Sequence, residues 1–259
     1  MNRVALRFQE LRETGKKAFI PYVMGGDPDL DSLPRILEVL VEAGVDLIEI
    51  GVPFSDPLAD GPVIQAAGVR ALRNGCTLTK LLETVKPVAF SLPTPLLLMI
   101  YYNQVLQRGL RRFMEETKDA GCSGLIIPDL PPEAAGELQE LANQLEIGLN
   151  FLVAPTSKDE RIRNAAAAGT GFLYAVSLKG VTGVRSSLPP ELPEFIMRVK
   201  SLCACPVAVG FGIATPEQAR SVAGLADGVI IGSAIVRMIA EDPGLDKVES
   251  FVRGLRDAI

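Results

Sequence analysis

Two carboxylates flank a short, proline-bounded segment of the chain. Glu49 lies in Asp46-Leu47-Ile48-Glu49-Ile50-Gly51, and Asp60 closes the run Val52-Pro53-Phe54-Ser55-Asp56-Pro57-Leu58-Ala59-Asp60-Gly61-Pro62. Read with the period of two of a strand, Leu47, Glu49 and Gly51 share one face and Ile48 and Ile50 the other. If Ile48 and Ile50 face helices, Glu49 points into an interior. There the loss of water favours the acid form and moves the carboxyl toward proton transfer at neutral pH. The competing reading leaves Glu49 in solvent, a face that a central parallel strand does not have. Asp60, just before Gly61-Pro62, fits a helix cap. Beside a buried Glu49 it fits equally well a second carboxylate that accepts a hydrogen bond from a substrate N–H or hydroxyl.

Three glycine-bearing turns follow later in the chain: Lys179-Gly180-Val181-Thr182-Gly183, Gly210-Phe211-Gly212 and Gly232-Ser233. Glycine lets backbone N–H groups approach an anion, and a helix start adds a favourable dipole, so these turns suit a phosphate or are simply tight turns. Tyr174 and Phe211 could line a flat apolar pocket or belong to the core. The chain contains no histidine, which removes the commonest general base and the commonest metal ligand together. No metal site is expected. Lys179 raises one alternative, a Schiff-base aldolase, although a lysine in a glycine-flanked turn lacks the fixed, desolvated setting that imine formation wants. Cys203 and Cys205 are two apart, unlike a C-x-x-C site, and with Cys76 and Cys122 read as small apolar, reduced thiols.

The elements that must hold these groups alternate eight times. Apolar, β-branched runs predict strands over 18–24, 46–50, 95–101, 124–127, 148–153, 171–176, 206–210 and 228–231. Amphipathic patterns predict helices over 30–43, 62–72 with 78–85, 110–120, 133–145, 160–168, 191–202, 216–223 and 234–257. Asp159 and Thr215-Pro216-Glu217 read as start signals, and Gly44, Gly121, Gly169 and Gly224 as glycines that end helices. With 259 residues, 48% of them hydrophobic, the chain fits one (β/α)8 TIM barrel domain, 1–259, of the α/β class. A doubly wound sheet would want G-x-G-x-x-G after the first strand, and Met24-Gly25-Gly26-Asp27-Pro28 does not provide it. A net charge of -5 offers no footprint for nucleic acid. The uncharged stretch 87–107 is broken by Pro87, Pro93 and Pro95, so no membrane span is expected. Residues 1–13 lack a signal-peptide core, which places the chain in the cytoplasm.

At these residues the sequence strongly resembles the tryptophan synthase alpha subunit family. The matching stretches are Pro21-Tyr22-Val23 through Gly26-Asp27-Pro28, the run from Glu49 to Gln65, Tyr102-Asn103, Gly180-Val181-Thr182-Gly183, Gly210-Phe211-Gly212 and Gly232-Ser233. The similarity runs end to end. It implies a lyase that splits indole-3-glycerol phosphate into indole and glyceraldehyde 3-phosphate by a retro-aldol step, without metal or Schiff base. By this resemblance Glu49 is the acid/base and Asp60 holds the indole N–H. Gly183, Gly212, Gly232 and Ser233 would bind phosphate, and Tyr22, Tyr174, Phe211 and Ile230 would surround the ring. Closure of the loop after strand six would bring Thr182 to Asp60 and exclude water. The resemblance further implies no cofactor in this chain and an α2β2 assembly with a PLP-dependent beta subunit, which would contact the segment around Asp56 and parts of 101–108. Two other readings stay open from sequence: a ligand-binding regulatory subunit with little turnover, and a stand-alone lyase that releases free indole.

Overall fold

The computed structural model describes residues 1–176, 188–210 and 212–259. Nine short parallel strands, β1 Ala18–Met24, β2 Ile48–Gly51, β3 Leu96–Met99, β4 Gly124–Ile126, β5 Gly148–Asn150, β6 Leu152–Val153, β7 Leu173–Val176, β8 Val207–Gly210 and β9 Gly228–Ile231, form one sheet. Their order is β5-β4-β3-β2-β1-β9-β8-β7-β6. Since β5 and β6 are consecutive in the chain, the sheet curls into an eight-fold barrel whose seam is a single interrupted strand. The predicted strand 148–153 is therefore real but divided.

Asn150 explains the division. Its amide donates to the carbonyl of Leu125 (3.0 Å) and accepts from the N–H of Phe172 (2.9 Å), so a side chain stands in for ladder bonds toward β7 while the pairing with β4 continues through Asn150. Beyond it the Phe151 carbonyl accepts from the N–H of Tyr174 (2.9 Å) and resumes the pairing.

Alternation along the strands builds the interior as the sequence predicts. Leu47, Ala18, Ile20, Leu97, Ile126, Phe172, Ala208 and Ile230 pack together inside the barrel, while Ile48 and Ile50 belong to the larger core between sheet and helices. The floor is closed by an element that the sequence reading did not anticipate, the helix Arg3–Glu13. Asn2 caps it by accepting from the N–H of Ala5 (2.9 Å), and Val4, Phe8 and Leu11 face into the barrel. Phe8 lies against Phe172 with ring centroids 5.3 Å apart. Each of these buried side chains contributes about 1.5–3 kcal/mol of transfer free energy. Below β2, Asp46 is only 2% exposed and accepts from Arg7 (2.7 Å), Arg256 (2.7 Å) and the N–H of Phe19 (2.8 Å). One carboxylate thus joins the first helix, the last helix and the barrel.

Some predicted boundaries move. The expected helix 234–257 is two helices, Ser233–Glu241 and Asp246–Arg256, parted at Asp242-Pro243-Gly244. The Asp242 carboxylate accepts from the N–H groups of Lys247 and Val248 at the second start. Gly44 and Gly121 take left-handed φ angles of 88° and 79° after their helices. Gly169 and Gly224 end theirs at φ of -75° and -66°, so those two positions have no left-handed requirement. Thr215 caps as predicted, accepting from the N–H of Gln218, whereas Asp159 is the first helical residue, behind Lys158. The helix Leu78–Ala89 runs past Pro87, and an additional helix, Tyr102–Arg108, follows β3. Among the described residues no helix is long and apolar enough to cross a membrane.

Candidate active site

The carboxyl end of the barrel gathers two carboxyl groups and three tyrosines. Glu49 sits mid-strand in β2, in register with Tyr22 of β1 and Leu97 of β3. It is fully buried, and neither carboxylate oxygen has a hydrogen-bond partner among the described residues. Burial, followed by the nearby charge of Asp60, pushes its pKa from 4.5 up to about 8. At neutral pH Glu49 is therefore mostly a carboxylic acid, able to give a proton.

Asp60 is also buried, at 7% exposure. Desolvation raises its pKa to about 6, against a hydrogen bond from Tyr101 that favours the carboxylate. The two carboxyls therefore sit on opposite sides of neutrality, one mostly protonated and one mostly ionised, as a division into acid and anion requires. The cap reading of Asp60 does not hold, because the helix Pro62–Arg73 starts behind Gly61.

The loop that carries Asp60 is held from below. Tyr101 Oη accepts from the N–H of Ala59 (3.0 Å), and its ring stacks on Phe54 with centroids 5.2 Å apart. Gln65 donates to the Asp60 carbonyl (3.0 Å), and Gln104 donates to the Pro53 carbonyl (3.1 Å). Sequence reasoning missed Tyr101, although a signal was present. Leu97 and Met99 point inward from β3, and the same parity continued by two residues reaches Tyr101 at the barrel mouth.

Of the predicted ring-lining residues, Tyr22, Tyr174 and Ile230 are brought together. Ile230 is in the interior cluster, and both tyrosines feel the charges of Glu49 and Asp60, which with burial hold their hydroxyls well above the usual tyrosine pKa. The hydroxyl ends of both tyrosines lie over strand glycines. A Cβ on Gly51 would collide with Tyr22 Oη, and one on Gly210 would stand 2.9 Å from Tyr174 Oη. No side chain fits at Gly51 without moving the Tyr22 ring.

Gly232 and Ser233 open the helix Ser233–Glu241 at the end of β9, and Gly232 is in contact range of Tyr22. Gly212, with φ of 68°, follows β8 in a left-handed conformation. Thr182, Gly183, Phe211 and Lys179 lie outside the described residues, so the aldolase alternative gains nothing from the structure. Among the described residues no group of three or more His, Cys, Asp or Glu side chains could hold a metal ion.

Comparison with known proteins agrees with this geometry. The family model for the tryptophan synthase alpha chain matches residues 8–257. The chain is 45% identical over 263 residues to the tryptophan synthase alpha chain of Caldanaerobacter subterraneus, covering all of both chains. It is 44% identical over 259 residues to that of Dehalococcoides mccartyi, again over all of both. It is also similar to solved structures. The tryptophan synthase subunit alpha of Legionella pneumophila superposes with a TM-score of 0.93 at 35% identity, covering 100% of this chain and 98% of that one. A chain of Mycobacterium tuberculosis tryptophan synthase gives 0.92 at 37%, covering 100% and 98%. With a matching fold and matches over its full length, the chain belongs to the tryptophan synthase alpha chain family.

Proposed function

We propose that Glu49 and Asp60 carry, on this chain, the lyase reaction of its family, the cleavage of indole-3-glycerol phosphate to indole and glyceraldehyde 3-phosphate. The observation that supports this most is the Glu49 carboxyl, buried in the barrel and without a partner among the described residues. A buried polar group left unsatisfied costs about 1–3 kcal/mol, which the fold tolerates where a bound substrate completes the bonding.

The chemistry needs a proton placed on indole C3 and one taken from the hydroxyl on the carbon attached to it. Glu49, protonated at neutral pH, donates the first. The resulting carboxylate accepts the second as the carbon–carbon bond breaks, which returns Glu49 to its starting form. The electron pair of the broken bond restores the aromatic ring, and the hydroxyl carbon leaves as an aldehyde. While C3 is protonated the ring nitrogen is electron-poor, and Asp60, ionised and oriented by Tyr101, takes the N–H hydrogen bond.

Tyr22, Tyr174, Phe211 and Ile230 would clasp the indole. Gly183, Gly212, Gly232 and Ser233 would hold the phosphate at the start of the last barrel helix, where backbone N–H groups and the helix dipole favour an anion. Thr182 would reach Asp60 when its loop closes. No step asks for a cofactor in this chain, and the whole of 1–259 would act as one barrel domain in the cytoplasm.

The family name brings a second proposal, a beta subunit that receives indole and holds PLP, in an α2β2 complex. Leu58 is 90% exposed and Leu106 is 52% exposed, on the loop after β2 and the helix after β3. These apolar side chains, on two elements joined by the Ala59–Tyr101 and Pro53–Gln104 hydrogen bonds, suit a docking face for that subunit. Indole release from indole-3-glycerol phosphate, measured with native protein and Glu49→Gln, with and without a beta subunit, tests both proposals. Equal turnover of Glu49→Gln and native protein would remove Glu49 from its role. Absence of a complex on gel filtration, with no rise in turnover, would leave a stand-alone lyase.

A further inference from the structure

At the opposite end of the barrel from Glu49 a cavity of about 400 Å³ opens beneath the helix Arg3–Glu13. Its apolar wall includes Phe8, Leu11 and Pro206, and its rim carries Arg12, Lys16, Lys17 and Lys200 against a single carboxylate, Asp227. Lys200 pairs with Asp227 at 2.8 Å and Lys17 at 3.8 Å, while Arg12 and Lys16 make no ion pair among the described residues. The site is cationic overall, and it lies far from any role in the proposed lyase chemistry.

Two of the four cysteines line this cavity. Cys203 ends the helix Leu192–Leu202, the chain bends at Ala204 and Cys205, and both thiols are half-buried on the cavity wall. They pack against the hydrophobic core, as the sequence leads one to expect, but are only partly buried, whereas Cys76 and Cys122 are fully enclosed. Those two are buried, and desolvation lifts their pKa values to about 11 and about 12. Cys203 instead sits below the usual thiol value, because Cys205 hydrogen-bonds to it and Lys200 is near. Its Sγ lies 3.2 Å from the Val199 carbonyl and 3.8 Å from that of Cys205, which keeps it folded back toward its neighbour.

We propose that Cys203 and Cys205 form a reversible dithiol–disulfide couple on the wall of this cavity, oxidised by anionic low-molecular-weight disulfides that the cationic rim collects. The Cys203 thiolate attacks one sulfur of the incoming disulfide, forming a mixed disulfide and expelling one thiolate. Cys205 then loses its proton to solvent and attacks the Cys203 sulfur, expelling the second thiolate and closing the intramolecular bond. Two protein thiols are oxidised, one external disulfide is reduced to two thiols, and no other reactant is needed.

The test uses the full chain and two probes of opposite charge, dithiobis(nitrobenzoate) and cystamine. The anionic probe should react with native protein in a fast phase that releases two equivalents of thionitrobenzoate. Mass spectrometry should then show no adduct and a chain lighter by two hydrogens. Cys205→Ser should release one equivalent and keep an adduct on Cys203, and Cys203→Ser should lose the fast phase. With each rate divided by that of the same probe with a neutral model thiol, which removes the difference in leaving group, cystamine should react about tenfold more slowly or worse, and Arg12→Gln with Lys16→Gln should narrow that gap. A stable adduct on Cys203 of the native chain would overturn the couple. So would equal rates for all four cysteines, or reaction only as circular dichroism reports unfolding. Equal normalised rates for the two probes would overturn the anion preference.

Discussion

The Glu49 carboxyl ties catalysis to stability, and Glu49→Gln separates the two. In the folded chain its pKa stands at about 8 against an ordinary 4.5. A raised carboxyl binds more protons folded than unfolded between those values, so native stability falls as pH climbs through that interval and levels off above about 8. The interval of about 3.5 pH units, at about 1.36 kcal/mol each, sets the loss at about 5 kcal/mol, a ceiling because part of the shift comes from Asp60. Glutamine is nearly isosteric with the neutral acid and equally unpartnered in this site, so the variant should match native protein near pH 5. By pH 9 it should be the more stable by several kcal/mol. Urea unfolding at a series of pH values, followed by far-UV circular dichroism, measures the difference directly. In the same variant kcat should fall about 100-fold or more, since a positioned proton carrier is gone. Two stability curves that run parallel from pH 5 to 9 would refute a dry, proton-retaining Glu49, whatever the activity did.

Turnover of native protein should follow a bell in pH, with the acid limb near 6 from Asp60 and the alkaline limb near 8 from Glu49. Asp60→Asn should lower kcat about 100-fold and abolish the acid limb; an unchanged limb would assign it elsewhere. Tyr101→Phe removes the bond that favours ionised Asp60, so the acid limb should move to higher pH and kcat/KM should drop, about tenfold. A profile that keeps its acid limb would take Tyr101 out of contact with the reaction. Gly51→Ala forces Tyr22 aside, and a loss of about 1–3 kcal/mol in stability with a raised KM is expected; a variant with native Tm and KM would contradict the packing.

The barrel and its acid were legible because both rest on alternation. Leu47, Glu49 and Gly51 against Ile48 and Ile50 gave a face to each residue before any coordinates, and the interior packing agrees. Tyr101 escaped although the expected strand 95–101 contains it, because the inward parity of Leu97 and Met99 was not applied to its last residue. The break at Asp242-Pro243-Gly244 was also readable from its composition, yet a long amphipathic pattern on both sides concealed it. The helix Arg3–Glu13 was harder. Three arginines and few apolar residues make it polar on average, and only the spacing of Val4, Phe8 and Leu11 betrays its buried edge. The divided strand at Asn150 had no local signal, since the bonds that divide it reach Leu125 and Phe172, partners known only once the barrel closes.

The ion cluster at Asp46 sets an order of events for the newborn polypeptide. Arg256 follows Asp46 by 210 residues, so a nascent chain whose helix Asp246–Arg256 is still unmade holds that aspartate with only part of its counter-charge. Enclosing it early would strand a poorly compensated ion in the base of the molecule. Final locking must therefore wait until the helix Asp246–Arg256 has emerged, and Arg256→Ala should yield a protein that proteases cut more readily.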